Sequence, residues 1–201
     1  MKLRYSPASP FVRKVLVVAK ETGLDSRIEP VATSTTDPAS GLAKENPLGK
    51  VPSLRLDDGT NLYDSRVICE YLDSLHGDPK LLPASGEARW TALRRQALGD
   101  GIMDAAVLRR MESRRPANEQ SPAYGEAQRG KVTAALDLLE READGLDGGV
   151  DIGVIAIGCA LGYLDFRFAH EDWRQGRPKL ARWFEGFAKR TSMQATVPKE
   201  P

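Results

Sequence analysis

The sequence predicts an α/β unit with a mixed sheet, followed by an all-α helical bundle. Residues 1–76 carry strand-like segments and two helical patterns in the order β-α-β-β-β-α. Residues 77–86 are rich in proline and glycine, which is typical of a linker. From residue 87 onward every periodic segment has the spacing of an amphipathic helix. We therefore expect an N-terminal domain over 1–76 and an all-helical domain over 87–201, joined by this linker.

The N-terminal domain contains four predicted strands and two predicted helices. Pro10 fits the first turn of a helix that begins near Phe11, and Gly23 ends this helix. The turn signal Asp57-Asp58-Gly59 predicts a hairpin, and Asp64-Ser65 stands where a helix cap is expected. The strands are predicted over residues 1–5, 28–31, 51–56 and 60–63.

The second part of the chain contains four predicted helices. Asp151 is a candidate N-cap, but Val154 stands three residues later, where a capping box requires Glu or Gln. Gly153 lies in the first turn of the same helix and typically costs about 1 kcal/mol relative to alanine. The helices are predicted over residues 87–113, 123–145, from 151 through 164, and 179–190.

Two segments show no helical or strand periodicity. Residues 32–46 are polar and are expected to form mostly loop, without a second helix. The residues after Arg190 show no apolar periodicity and are expected to form a tail. Neither segment is expected to contribute to a core.

The charge balance excludes several classes of partner. The chain has 29 basic and 28 acidic residues, so it has no broad field to hold nucleic acid or an anionic membrane. Its two cysteines and two histidines form no metal-ligand motif, and we expect no metal. No apolar run approaches the roughly 20 residues that span a bilayer, and the N-terminus has no signal region. A cytoplasmic protein is the expectation.

Three motifs, at matching points of the β-α-β-β-β-α order, resemble one protein family. They are Ser9-Pro-Phe-Val-Arg-Lys14, Asn46-Pro-Leu-Gly-Lys-Val-Pro52 and Tyr63-Asp-Ser65. With Ala156-Ile-Gly-Cys-Ala-Leu-Gly-Tyr-Leu-Asp-Phe-Arg167 in the helical half, they resemble the glutathione S-transferase superfamily, especially a bacterial subgroup of small homologues. The resemblance implies a thioredoxin-like N-terminal domain, glutathione as co-substrate, a role in detoxification, and a homodimer.

The resemblance also implies a set of glutathione-binding residues. The Val51-Pro52 bond is similar to the family's cis-proline turn, which exposes the Val51 backbone to the cysteinyl part of glutathione; a plain edge-strand proline is the alternative. Ser65 at its helix start would hold the γ-glutamyl carboxylate, and Asp64 the ammonium, although either residue also suits a plain cap. Lys50 would pair with the glycyl carboxylate, or is an ordinary exposed lysine.

Ser9 is the candidate catalytic residue, because the family places Ser, Cys or Tyr in this turn beside the thiol of glutathione. A hydroxyl that donates to the sulfur, at a helix N-terminus, lowers the pKa of the thiol from about 8.5 toward neutral. Ser6 and Tyr5 are alternatives, and Ser9 also suits a helix cap without chemistry. The implied activity is conjugation of glutathione to a small apolar electrophile. The alternative is a non-catalytic glutathione-binding or protein-interaction member of the same fold.

Overall fold

The structure is a computed structural model that describes residues 1–77 and 79–200. Asp78, in the predicted linker, and Pro201, at the end of the predicted helical domain, lie outside the described residues. The contacts divide the chain into two compact units. One comprises residues 1–89 with the segment that begins at Thr191, and the other comprises Trp90–Arg190. The domain limits expected at residues 76 and 87 stay a prediction.

The first unit is built on the mixed four-stranded sheet that the sequence predicts. Its strands are β1 (Lys2–Tyr5), β2 (Glu29–Ala32), β3 (Ser53–Arg55) and β4 (Asn61–Leu62), in the spatial order β2-β1-β3-β4. β1 and β2 are parallel, whereas β3 is antiparallel to both β1 and β4. Leu3 lies opposite Leu54, and both are fully buried. This pair fixes the register, because a one-residue shift would turn a leucine to the other face.

Two helices of this unit begin where the sequence places their caps. α1 (Pro10–Glu21) has Ser9 as its N-cap, and α3 (Ser65–Ser74) has Asp64 as its N-cap. Gly23 follows α1 with a φ of 69°, a left-handed conformation that glycine adopts without strain. α1 packs against α3, and the buried side chains of both helices recur at helical spacing: Val12, Val15, Val18 and Ala19 on α1, and Ile68, Cys69 and Leu72 on α3.

The expectation that residues 32–46 lack a second helix was wrong. A 3₁₀ turn (Pro38–Ser40) and the four-residue helix α2 (Leu42–Glu45) lie in this segment. Leu42 is buried, and Glu45 pairs with Arg4 of β1, with Oε1 and Nη2 2.6 Å apart. A helix this short is stabilised by contacts with distant residues, and a local polar composition does not reveal those contacts.

The C-terminal segment is not a tail, and it packs on the first unit. It forms α8 (Thr191–Gln194), which contacts α1 and buries Ser192 and Met193. Arg13 donates from Nη2 to the Met193 carbonyl oxygen at 3.1 Å, and the Ser192 hydroxyl donates to Glu21. A single helical turn carries too few residues to show periodicity, so the sequence pattern missed it.

The four helices that the sequence predicts after residue 87 are present. They are α4 (Gly86–Glu112), α5 (Pro122–Glu142), α6 (Ile152–Phe168) and α7 (Pro178–Phe187). Asp151 is the N-cap of α6, since its Oδ1 accepts a hydrogen bond from the Val154 N–H at 2.9 Å. Every residue of α6 from Ile152 to Leu164 is buried, so this helix forms the core of the second unit.

Two glycines allow α4 and α6 to cross closely. A Cβ atom on Gly153 would lie 2.5 Å from Arg95 Cβ and 2.7 Å from the Ala92 carbonyl oxygen. A Cβ atom on Gly99 would lie 2.6 Å from the backbone carbon of Ala156. These distances are much shorter than the van der Waals separation of two heavy atoms, so a side chain at either position would clash. Gly153 is therefore required by packing, although its intrinsic helix propensity alone counts against it.

One segment of the second unit meets the length and hydropathy of a membrane span. Ile152–Glu171 has 20 residues and contains an apolar stretch of 18 residues with a mean hydropathy of 1.6. The expectation that no apolar run approaches the length of a membrane span was therefore wrong. In the structure 72% of that stretch is buried inside the protein. The segment therefore has the burial of a core helix, not of a helix whose surface faces lipid.

Candidate functional site

The sheet pairings bring the predicted site residues to one edge of the sheet. Arg4, near the end of β1, pairs with Ser53 at the start of β3, and Leu54 pairs with Leu62 at the end of β4. The turn after β1, the residues before β3 and the residues after β4 therefore leave the sheet at the same edge. Neighbouring strands lie about 4.8 Å apart. Ser9, Lys50, Val51, Pro52, Asp64 and Ser65 all belong to these three segments.

Ser9 lies at the N-terminus of α1 and is half-buried. Its hydroxyl oxygen accepts a hydrogen bond from the Val12 N–H at 3.3 Å, and its own N–H donates to the Ser6 carbonyl at 3.1 Å. Because the Oγ acts as an acceptor in the cap, its proton is still available to donate. Tyr5 lies inside β1, where its carbonyl accepts from the Thr33 N–H at 2.9 Å.

The Val51–Pro52 peptide bond is cis, as the family resemblance implies. Pro52 is buried, and β3 begins one residue later, at Ser53. Among the hydrogen bonds of the described residues, none uses the Val51 N–H or C=O. Both groups of Val51 can therefore pair with an extended peptide-like ligand in the manner of an added strand.

Asn46 organises the turn that precedes the cis bond, a role that was not predicted from its sequence motif. It is 2% exposed, and its Nδ2 donates to the Lys50 carbonyl oxygen at 2.8 Å while its Oδ1 accepts from the Leu48 N–H at 3.0 Å. Gly49 closes the turn with a φ of 63°. The Lys50 side chain is exposed. Asparagine followed by proline and glycine is a turn signal, so the sequence did carry a hint of this role.

Asp64 and Ser65 form the start of α3. Asp64 Oδ1 accepts from the Arg66 N–H at 2.9 Å, which leaves Oδ2 available, and the side chain is exposed. The Tyr63–Asp64 peptide bond is also cis. Ser65 is 2% exposed, and none of the described hydrogen bonds uses its N–H. An open N–H group at the positive end of a helix favours a carboxylate.

An ion pair fixes the segment before the Asn46 turn. Arg4 donates from Nε and Nη2 to the two carboxylate oxygens of Glu45 at 3.0 and 2.6 Å, and from Nη1 to the Ser40 carbonyl at 3.3 Å. Hydrogen bonding to Arg4 lowers the pKa of Glu45, more than desolvation raises it. The same bond raises the pKa of Arg4. The pair is therefore ionised, and it ties α2 to the sheet.

The two cysteines are not among these site residues. Neither Cys69 nor Cys159 is in a disulfide, and both are fully buried. Within residues 1–77 and 79–200, no group of three or more His, Cys, Asp or Glu side chains is placed to hold a metal ion.

Comparison with known proteins shows the family of the chain. Residues 8–75 match the model of the glutathione S-transferase N-terminal domain, and residues 105–186 match that of the C-terminal domain. The chain is 37% identical over 203 residues to "Uncharacterized GST-like protein YibF" of Escherichia coli (strain K12), covering 98% of each chain.

Two solved bacterial structures are similar over almost their whole length. A glutathione transferase family member from Pseudomonas fluorescens Pf-5, with bound glutathione, is 46% identical with a TM-score of 0.95 and 98% of each chain covered. A glutathione S-transferase from Methylobacillus flagellatus KT, also with glutathione bound, is 43% identical with a TM-score of 0.91, covering 98% of this chain and 99% of its own. The thioredoxin-like N-terminal unit and the helical second unit are those of this family, and the chain belongs to the glutathione S-transferase superfamily.

Proposed function

We propose that this protein is a glutathione transferase that conjugates glutathione to a small apolar electrophile. The proposal rests on one observation: a cis-proline turn and the N-termini of two helices lie at the same edge of the sheet. Similar bacterial structures contain bound glutathione, which supports the same ligand here. We further propose that the protein acts in the cytoplasm and in detoxification.

Each part of glutathione has a proposed partner at this edge. The Val51 backbone pairs with the cysteinyl part, as an added strand would. The Ser65 N–H and hydroxyl hold the γ-glutamyl carboxylate, and the free oxygen of Asp64 accepts from the ammonium. Lys50 pairs with the glycyl carboxylate through its exposed ammonium. The tripeptide is thereby held in an extended conformation.

Ser9 is the proposed catalytic residue. Its hydroxyl donates to the sulfur of glutathione, and the N-terminus of α1 adds a positive partial charge. Both effects favour the thiolate, so more of the nucleophile is present at neutral pH. The sulfur lone pair then forms a bond to the electrophilic carbon. In a substitution the leaving group departs with its electron pair, and in an addition the carbanion takes a proton from water.

A homodimer is part of the proposal. Large apolar side chains are exposed on both units of the single chain, among them Leu48 at 64%, Val67 at 47% and Trp90 at 69%. Covering such residues is a common reason for self-association. Sedimentation of the full chain tests this, and a species of one chain mass at micromolar concentration would contradict it.

A non-catalytic glutathione-binding or protein-interaction protein is the second candidate. The observation in its favour is that the Ser9 hydroxyl already caps α1, so a serine at this position is explained without chemistry. Under this reading the sheet edge either binds glutathione without turnover or has lost the ligand altogether.

The two candidates are separated by binding and turnover measured together. Calorimetry with glutathione and an assay with chlorodinitrobenzene are run on wild type, Ser9→Ala and Ser6→Ala. The transferase proposal expects Ser9→Ala to bind glutathione but to lose about a hundredfold in rate, the usual size of one stabilising donor, while Ser6→Ala keeps both properties. Binding without turnover in all three proteins would favour the non-catalytic candidate. Absence of glutathione binding in wild type would show that the protein keeps the family fold but not the glutathione site.

A further inference from the structure

The C-terminal segment of the first unit, residues 191–200, follows α1 in the opposite direction. Its first contact is with the end of α1, where the Ser192 hydroxyl donates to Glu21. One residue later, the Met193 carbonyl oxygen accepts from Arg13 Nη2, near the start of α1, at 3.1 Å. Ser192, Met193 and Arg13 are all buried. Both contacts are therefore shielded from water, and the segment has a fixed place on the helix.

The same segment then reaches the turn between β1 and α1, which carries Ser9. The Lys199 N–H donates to the Pro7 carbonyl oxygen at 3.2 Å. Within the turn, the Ser9 N–H donates to the Ser6 carbonyl oxygen at 3.1 Å. Because Pro7 and Pro10 have no N–H group, the turn can form few hydrogen bonds of its own. The bond from Lys199 therefore fixes the turn from a distant part of the chain.

Arg13 keeps this segment on α1. Its side chain is 7% exposed, and its guanidinium group is always charged. The Arg13 N–H donates to the Ser9 carbonyl oxygen at 3.0 Å, so one residue joins the first turn of α1 to the C-terminal segment. Loss of the Met193 carbonyl would leave this buried cation with one acceptor fewer, which is costly. The segment is therefore held beside α1 before it reaches the Ser9 turn.

We propose that Lys199 is a positioning residue for the proposed reaction, because its backbone N–H holds the Ser9 turn in place. This inference rests on the proposed function, in which the Ser9 hydroxyl donates to the sulfur of glutathione. A displacement of a reacting group by about 1 Å can cost about a hundredfold in rate. The Val51 backbone and the start of α3, which are proposed to hold the tripeptide, belong to other segments. The bond from Lys199 therefore affects the chemical step, and not the binding of glutathione.

The first test compares two substitutions at Lys199 in the full chain. Lys199→Pro removes the N–H, whereas the conservative variant Lys199→Ala keeps it and removes only an exposed side chain. With chlorodinitrobenzene, Lys199→Pro should lower kcat about tenfold, a smaller loss than the roughly hundredfold expected for Ser9→Ala. The KM for glutathione should stay unchanged in both Lys199 variants, and Lys199→Ala should keep the wild-type kcat. Equal kcat values in Lys199→Pro and Lys199→Ala would overturn the proposal.

A shortened chain removes the same N–H without introducing a proline. Deletion of residues 198–201 keeps α8 and the contacts of Ser192 and Met193 with α1. The kcat should fall at least as much as in Lys199→Pro, again with an unchanged KM for glutathione. Thermal unfolding shows whether the shortened chain is folded. An unchanged kcat in the folded, shortened chain would also overturn the proposal.

A double substitution shows whether Lys199 acts through Ser9. In a Ser9→Ala background the hydroxyl is absent, so Lys199→Pro should cause no further loss of kcat. A residue that only stabilises the fold would lower kcat equally in both backgrounds, and that result would overturn the positioning role. An unchanged kcat in Ser9→Ala alone would instead contradict the proposed function, and the positioning role with it. A loss in Ser9→Ala without a difference between the two Lys199 variants overturns the positioning role only.

Discussion

The Asn46 carboxamide donates to the Lys50 carbonyl oxygen at 2.8 Å, across the turn that leads into the cis bond. Asn46 is 2% exposed, so the bond is shielded from water. Its other amide atom accepts from the Leu48 N–H at 3.0 Å. One buried side chain therefore fixes both ends of the turn, and with it the backbone of Val51 that we propose for glutathione.

Asn46→Asp keeps the size of this side chain but replaces the donor with an oxygen that faces the Lys50 carbonyl. We expect unfolding free energy to fall by about 1–3 kcal/mol, the cost of an unsatisfied buried group. Glutathione affinity should fall about tenfold if 1.4 kcal/mol of backbone pairing is lost. Urea unfolding and calorimetry measure the two effects. Asn118→Asp, at an exposed position, is the control, and equal stability loss in both variants would refute the role of Asn46.

Gly153→Ala tests the close crossing of α4 and α6. Helix propensity alone predicts that alanine stabilises by up to about 1 kcal/mol. Because the new Cβ would lie 2.5 Å from Arg95 Cβ, we expect destabilisation of about 1–3 kcal/mol. Gly130→Ala on α5, where nothing lies within 4 Å, should instead stabilise. Thermal or urea unfolding measures the sign of the change in unfolding free energy. Stabilisation by both substitutions would contradict the close contact between α4 and α6.

Met193→Ala tests whether the C-terminal segment is part of the first unit. Met193 is 1% exposed, and loss of a buried methionine typically costs about 2–5 kcal/mol. Val197→Ala, at a position that is 50% exposed, should cost less than about 0.5 kcal/mol. The readout is urea unfolding of the full chain. Equally small losses of unfolding free energy in Met193→Ala and Val197→Ala would show that this segment is an unpacked tail.

The Arg4–Glu45 pair predicts a pH dependence of stability. The folded-state pKa of Glu45 is lowered, so its contribution is present above the ordinary glutamate value of 4.5 and is lost as pH falls through the lower folded value. Glu45→Gln should therefore destabilise at neutral pH, and the difference from wild type should shrink as pH falls below 4.5. Urea unfolding across this pH range measures the difference in unfolding free energy between wild type and Glu45→Gln. Glu126→Gln, at an exposed site, is the control. A difference for Glu45→Gln that does not change with pH would contradict an ionised Arg4–Glu45 pair.

The elements that the sequence predicted correctly are those stabilised by local patterns. Val12, Val15 and Val18 recur at helical spacing in α1, and Asp151 caps α6 as expected. The cis bond at Val51–Pro52 followed from a family motif, because a proline by itself does not determine the isomer.

The features that sequence reasoning missed depend on contacts between distant residues. α2 is anchored by Arg4, 41 residues away from Glu45, and α8 by Arg13, 180 residues away from Met193. The requirement for Gly153 comes from α4, which no pattern around residue 153 encodes. Asn46 was visible as a turn residue, but the direction of its amide became clear only from the folded chain.

We propose that the sheet edge binds glutathione and that the Ser9 hydroxyl favours its thiolate. The most direct measurement is the ultraviolet absorbance of the thiolate of bound glutathione, followed across pH in wild type and Ser9→Ala. We predict a thiol pKa well below the free value of about 8.5 in wild type, and a value at least one unit higher in Ser9→Ala. An identical pKa in the two proteins, or no bound glutathione in wild type, would contradict the account.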